Sequence, residues 1–166
     1  MPAVMENGMG AKLVCFFPKK AGSKFPTHIA TITLFDTNTG EPLALVDGRL
    51  IAEMRTTAVS AAVTKYLAPK DSKILTLLSS GVQAQAHLDA LRHVYHFNEV
   101  RVWSRTPAHA KHFAELNGIN SIELEAAVRG ADVVMIATNS TEPILKGAWL
   151  KDTAHINSVG AGRPNW

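Results

Sequence analysis

Cysteine is nearly missing from this sequence: Cys15 stands alone. One thiol cannot build an intrachain disulfide framework, so the chain must hold together on a packed core, and a reducing compartment is expected. Cys15 lies in the apolar run Leu13-Val14-Cys15-Phe16-Phe17 and reads as a small core residue. Long apolar runs are missing too. No stretch approaches the roughly 20 apolar residues of a membrane span. The opening segment, residues 1–10, has no apolar h-region of a secretory signal, so the cytosol is the expected location. Charge of one sign is also scarce. The net charge is +3 and the longest basic run is Lys19-Lys20, far short of a nucleic-acid-binding patch. A small anionic ligand, phosphate or carboxylate, stays compatible, and no metal site is expected.

What is present is ordinary globular material. The chain is 46% hydrophobic and 19% charged, which places it with soluble folded proteins rather than disordered ones. Its 166 residues suffice for one domain, or one domain and part of another.

The patterning changes style part-way along. Residues 1–10 are Gly- and Met-rich without a period and read as loop. Residues 12–17 read as a strand and 18–26 as a loop rich in Lys, Gly and Pro. Residues 28–36 and 43–46, joined by Thr37-Asn38-Thr39-Gly40, predict an antiparallel hairpin. Residues 49–68 switch to helical spacing, with Leu50, Met54, Ala58, Ala61 and Ala62 as the packing positions and Pro69 as the stop. From Lys73 onward, strands at 74–78, 100–103, 133–138 and 154–159 alternate with helices at 82–95, 107–116 and 124–129. That alternation predicts an α/β fold with a Rossmann-type parallel sheet. The expected division is residues 1–64, part of an antiparallel sheet domain with a bridging helix, and residues 65–166, an incomplete Rossmann domain.

The strand at 74–78 runs into Ser79-Ser80-Gly81-Val82-Gln83-Ala84, which opens a helix. A dinucleotide-binding turn needs this context, with the fingerprint G-x-G-x-x-G/A. The three marked positions are Ser79, Gly81 and Ala84. Gly81 lets the backbone approach a pyrophosphate and Ala84 lets the helix pack closely, but Ser79 replaces the tight-turn glycine. The competing reading is an ordinary strand-to-helix loop with a serine N-cap. About 20 residues further on, NAD enzymes place an acid on the ribose 2′-hydroxyl. Here Ser104-Arg105-Thr106 follows the strand instead. Arg105 can pair with a 2′-phosphate, and Ser104 and Thr106 can donate hydrogen bonds to it, which favours NADPH over NADH. The alternative for Arg105 is a solvated surface arginine.

The runs KLVCFFP, FPTHIATITLFD, VDGRLIAEMRTTAVSAAVTKYL, SSGVQA, VRVWSRT, ATNSTEPIL and HINSVGAGRPNW resemble the ornithine cyclodeaminase/mu-crystallin family. The resemblance extends from about Met9 to Trp166, and its specific elements are R-T-x-A-x-S-A, G-V-Q-A and V-G-A-x-R-P. Within the family it leans toward the mu-crystallin, ketimine-reducing branch. It implies a homodimer, an NADPH-binding Rossmann domain and a sheet domain that dimerises and shapes the substrate site. It implies reduction of cyclic ketimines, and thyroid-hormone binding in that branch. Carried over by position, Lys12 faces the substrate and Arg55 its carboxylate. Thr27, His28 and Arg55 are implied as contacts around the cofactor, and Ser80, Gly81, Val82 and Gln83 as the pyrophosphate turn. Ser104, Arg105 and Thr106 are implied as the 2′-phosphate grip. Thr138, Asn139 and residues 159–162 are implied beside the nicotinamide half. Without the resemblance, Lys12 would read as an exposed strand-end lysine, Arg55 as a helix surface charge and His28 as a satisfied core histidine.

The residues suit those roles. Reducing a C=N bond needs a proton on nitrogen, which Lys12 can supply if burial lowers its pKa. Arg55 can hold a carboxylate bidentately. Two departures matter. Ser79 stands where the family has glycine, which should weaken cofactor binding. Gly162 stands where cyclodeaminases carry an aspartate after V-G-A, which argues against ornithine deamination and for the reductase branch. By the resemblance, a family segment before Met9 and a C-terminal return to the sheet domain are expected to be missing. A truncated chain of this kind is expected to expose open edges and apolar faces, and to be weakly stable, aggregation-prone or inactive.

Overall fold

The computed structural model describes residues 1–17 and 26–160. The chain forms two compact units, Met1–Arg55 and Thr56–Trp166. The expected α/β architecture is present, with one antiparallel and one parallel sheet.

The first unit is a four-stranded antiparallel meander, β1 (Pro2–Met5), β2 (Gly8–Phe16), β3 (His28–Phe35) and β4 (Pro42–Asp47), in that order. The hairpin expected between β3 and β4 is there. Asp36 accepts hydrogen bonds from the Asn38 and Thr39 amides at 2.8 Å, and Gly40 takes a left-handed conformation (φ 76°). Residues 1–10, expected as loop, instead form β1 and the start of β2, paired from Met5↔Gly8 to Pro2↔Ala11. Every residue of β1 is exposed. With neither face buried, no alternation of apolar and polar residues arises, and the pairing rests on backbone hydrogen bonds. Cys15, expected in the core, is exposed on β2, as are Leu13, Val14 and Phe16.

Gly48 closes β4 onto β3. Its amide donates to the Ala30 carbonyl at 2.8 Å, and a Cβ there would lie 2.9 Å from Ile32 Cγ1. Only glycine fits that approach. Helix α1 (Arg49–Leu67) follows. Its packing face is not the expected one. Leu50 and Met54 are exposed, Ala58 and Ala62 as well, and only Ala61 of the five is buried. The buried side chains are Thr57, Ser60, Ala61 and Thr64. The face is polar because hydrogen-bond partners wait for it, a fact that apolar periodicity cannot register.

The second unit is a five-stranded, all-parallel sheet in the order β7-β6-β5-β8-β9. Its elements run β5 (Ile74–Leu78), α2 (Val82–Val94), β6 (Glu99–Trp103), α3 (Pro107–Asn117), β7 (Asn120–Ser121), α4 (Leu124–Val128), β8 (Val133–Ile136) and β9 (His155–Ser158). The two-residue, polar β7 went unpredicted because it is too short to show a period. Successive residues of β5 feed two cores. Leu75 and Leu77 join Leu88, Leu91, Val102, Phe113, Val133 and Met135, while Leu78 joins Val128, Ala131 and Val134. A parallel sheet covered on both faces needs such near-continuous apolar strands. Each fully buried leucine contributes about 1.5–3 kcal/mol.

Polar anchors fix the sheet's N-terminal edge. Asp132 accepts from the Lys73 and Ile74 amides at 2.8 and 2.9 Å, and its other oxygen pairs with Lys151. Burial pushes its carboxyl up, but the Lys151 hydrogen bond and the two amides outweigh that and hold the pKa below the usual value. Arg101 chelates Glu99 and donates to the Ala126, Ala127 and Arg129 carbonyls, closing the end of α4.

Candidate functional site

The parallel topology carries the C-terminal ends of β5, β6, β8 and β9 to one edge of the second unit's sheet, the edge at which open α/β sheets bind ligands. The loop after β5 holds Ser79 to Gly81. The N-cap of α2 is Gly81, and it makes no side-chain cap hydrogen bond. The serine-cap alternative therefore fails, and the first-turn amides at Val82 and Gln83 receive no protein cap. Gly81 sits at φ −91°, which any residue can adopt, and a Cβ there would meet only Ser79 Oγ at 3.8 Å. Neither strain nor crowding by this chain calls for glycine. The space beside it is open, as a close-approaching phosphate requires. Ser79 Oγ accepts the Gly81 amide at 3.3 Å, so this serine occupies a donor that an anion would use. Gln83 Oε1 is buried without a partner among the described residues.

At the end of β6, Ser104 is partly buried and Arg105 and Thr106 are exposed. Thr106 is the N-cap of α3 and makes no side-chain cap bond. Arg105 has no hydrogen-bond or ion-pair partner among the described residues, in contrast to Arg101 two positions before Trp103, which is fully engaged. No acidic side chain lies between Val100 and His112. After β8, Thr138 Oγ1 accepts the Ser140 amide at 3.1 Å, which fixes the loop holding Thr138 and Asn139. Of residues 159–162, 161 and 162 lie outside the described residues.

The first unit holds the other predicted residues. Lys12 pairs across β2 with Ile32 of β3. Burial lowers its pKa, and the nearby Arg55 guanidinium lowers it further. His28 stacks on Phe16 with ring centroids 4.4 Å apart, and its Nδ1 meets Thr27 Oγ1 at 3.2 Å. His28 is exposed, which removes the core-histidine alternative. Lys12 with Arg55, and Thr27 with His28, are thus neighbouring pairs within one unit, as Ser80 to Gln83 are within the other. No group of three or more His, Cys, Asp or Glu that could hold a metal occurs among the described residues. No helix among them is long and apolar enough to cross a membrane.

Sequence reasoning missed a set of buried polar residues behind the turn: Ser60, Thr64, His87 and Asn157. The signal was available, since Ser60 is the serine of R-T-x-A-x-S-A and Thr57, Ser60 and Thr64 share a helical face.

The sequence pattern of the ornithine cyclodeaminase/mu-crystallin family matches residues 1–166. The chain belongs to this family. It is 43% identical over 171 residues to ketimine reductase mu-crystallin of Rattus norvegicus, covering 100% of this chain and 55% of that protein. Among solved structures, Thermococcus litoralis Δ1-pyrroline-2-carboxylate reductase, in complex with NADH and L-proline, superposes with a TM-score of 0.85 at 38% identity, covering 92% of this chain and 50% of that one. An archaeal alanine dehydrogenase dimer with bound NAD also gives a TM-score of 0.85, at 34% identity, covering 94% of this chain and 50% of that one. The chain spans about half the length of these relatives.

Proposed function

We propose that this chain carries the cofactor-binding unit and part of the substrate side of an NADPH-dependent reductase of cyclic ketimines. One observation carries the cofactor choice: Arg105, without a partner, follows β6 where an acid would be needed for NADH. The Thermococcus litoralis and archaeal relatives hold NADH and NAD, which supports a nicotinamide cofactor. The preference for the 2′-phosphorylated form rests on Ser104, Arg105 and Thr106. The open space at Gly81, the uncapped start of α2 and the orphaned Gln83 Oε1 suit a pyrophosphate and its ribose hydroxyls. Ser80, Gly81, Val82 and Gln83 would hold the pyrophosphate, and Thr138 and Asn139 would flank the nicotinamide half. Thr27 and His28 are assigned to cofactor contacts by position in the family pattern.

A bound reduced nicotinamide supplies a hydride to the imine carbon. The chain must then hold the substrate still and deliver one proton to nitrogen, giving a saturated amine. Lys12 is the proton donor in this reading. Its lowered pKa makes transfer to an imine nitrogen easier than from an ordinary lysine. Arg55 pairs with the substrate carboxylate and, as the neighbouring cation, helps keep the Lys12 pKa down. The ketimine reductase and the pyrroline-2-carboxylate reductase among the relatives support this reaction class, and the alanine dehydrogenase dimer supports a homodimeric assembly.

The test is turnover of a cyclic ketimine carboxylate by the purified chain, followed by NADPH absorbance. Turnover that Lys12→Met abolishes while NADPH binding persists is the expected result. NADPH-dependent binding of thyroid hormone without any turnover would move the assignment to a ligand carrier. The absence of both turnover and nicotinamide binding would overturn it.

A further inference from the structure

A polar chain crosses the largely apolar interior of the second unit, and the proposed chemistry makes no use of it. It begins in the phosphate turn, where the Gln83 carbonyl accepts from His87 Nδ1 at 2.7 Å. A carbonyl only accepts, so the ring proton sits on Nδ1. Nε2 is then a bare lone pair, and it accepts from Ser60 Oγ at 3.0 Å. The Ser60 carbonyl accepts from Thr64 Oγ1 at 2.7 Å, and Thr64 Oγ1 in turn accepts from Asn157 Nδ2 at 2.7 Å. His87 and Thr64 are fully buried, and Ser60 and Asn157 nearly so. Each donor has an acceptor, so no link is spare. Apolar residues would fill the same volume without the cost of pairing every polar atom.

The ends of the chain explain its placement. One end is the first turn of α2, whose backbone forms the pyrophosphate turn. The other end is β9, which leads directly into Val159 and Gly160. There the backbone closes on the loop after β8: the Val159 amide donates to the Ile136 carbonyl at 3.0 Å, and a Cβ at Gly160 would lie 2.9 Å from the Thr138 carbonyl oxygen. The chain therefore ties the loop after β5 to the loops after β8 and β9, with α1 between them. We propose that Gln83, His87, Ser60, Thr64 and Asn157 form a strut that sets the spacing of these cofactor-edge loops, with His87 as a positioning residue that touches no cofactor itself. Its effect on affinity rests on the nicotinamide reading above, while its effect on the turn does not.

Two readouts on the purified 166-residue chain separate these. The first, without cofactor, is amide hydrogen exchange at Gln85, whose amide donates to Gly81 at 3.1 Å and closes the turn. The second is NADPH titration. His87→Leu removes both ring hydrogen bonds. It is expected to speed Gln85 exchange and to weaken NADPH binding, each about tenfold, the loss typical of an unpaired buried polar group. Ser60→Ala, a milder change, is expected to show the same direction at roughly threefold. His87→Gln, whose amide can still reach Ser60 but not the Gln83 carbonyl, is expected to recover only part of both. Val128→Ala, a fully buried cavity on the other face of the sheet, should destabilise the unit while leaving both readouts near wild type. The strut is overturned if folded His87→Leu and Ser60→Ala both exchange and bind as wild type, or if Val128→Ala loses as much as they do. Wild type that shows no NADPH binding sinks the nicotinamide reading, while the exchange data still decide the strut.

Discussion

The two sheets of this chain bury different things. The parallel sheet of the second unit sinks Leu75, Leu77, Leu78, Val102, Val133 and Val134 completely. The antiparallel sheet of the first unit leaves Leu13, Val14, Phe16, Leu43 and Leu45 exposed, and Ala30 is its one fully buried apolar strand residue among those described. One unit is stabilised by a two-sided core and the other by strand pairing with little apolar burial. The loops at the C-terminal edge of the parallel sheet therefore rest on deep packing, while Lys12 sits on a lightly buried sheet.

Core truncation breaks this comparison most directly. Leu77→Ala in β5 should cost about 3–5 kcal/mol, and Leu45→Ala in β4 should stay within about 0.5 kcal/mol. Urea midpoints of the two variants measure it, and equal losses would erase the distinction. Asp132→Ala should cost about 1–3 kcal/mol, because two backbone amides at the start of β5 lose their acceptor. Lys151→Ala, which removes only a half-exposed partner, should cost less.

Acid sharpens the contrast further. Burial lowers the His87 pKa in the folded state, although its hydrogen bond to Gln83 opposes this. The unfolded chain therefore takes up a proton first. The contribution is fully present above the ordinary histidine pKa of about 6.5 and is lost as pH falls below it, at up to about 1.4 kcal/mol per pH unit. Asp132 acts lower down. Its depressed pKa contributes above about pH 4, and that contribution disappears as pH falls through the folded value. Melting the wild type and His87→Gln from pH 8 to 5 checks the first step, which the variant should reduce to the part left by His155, whose pKa burial also lowers.

How much of this was legible follows from the same contrast. Buried parallel strands advertise themselves as short apolar runs, so β5 and β8 were predicted within a few residues; β6 showed as an alternating strand, and the largely polar β9 was also placed within a few residues. The order of strand, glycine-containing turn and helix at β5 and α2 was legible because an apolar run, a turn residue and a helical period follow one another in the sequence. β1 was not legible, since pairing without burial leaves no period. Cys15 was misplaced for the same reason: an apolar run predicts a core only where something covers it. The packing face of α1 was misread because its buried Ser60 and Thr64 make hydrogen bonds to residues as distant in sequence as His87 and Asn157. Such partners are set by the tertiary fold and not by the local pattern.

The smallest effect expected belongs to the turn. Ser79→Gly frees the Gly81 amide from the serine hydroxyl and should tighten NADPH binding by about two- to fivefold, a fraction of one hydrogen bond. An unchanged affinity would mean that the serine yields to the phosphate at no cost.

The most direct test of the central claim is the ratio of NADPH to NADH affinity, measured by titration in the wild type and in Arg105→Ala. The wild type should prefer NADPH by about tenfold or more, as expected for a charge-assisted contact to the 2′-phosphate. Arg105→Ala should bring the ratio close to one by weakening NADPH alone. Equal affinity for both cofactors in the wild type, or a ratio that Arg105→Ala leaves unchanged, would contradict the account.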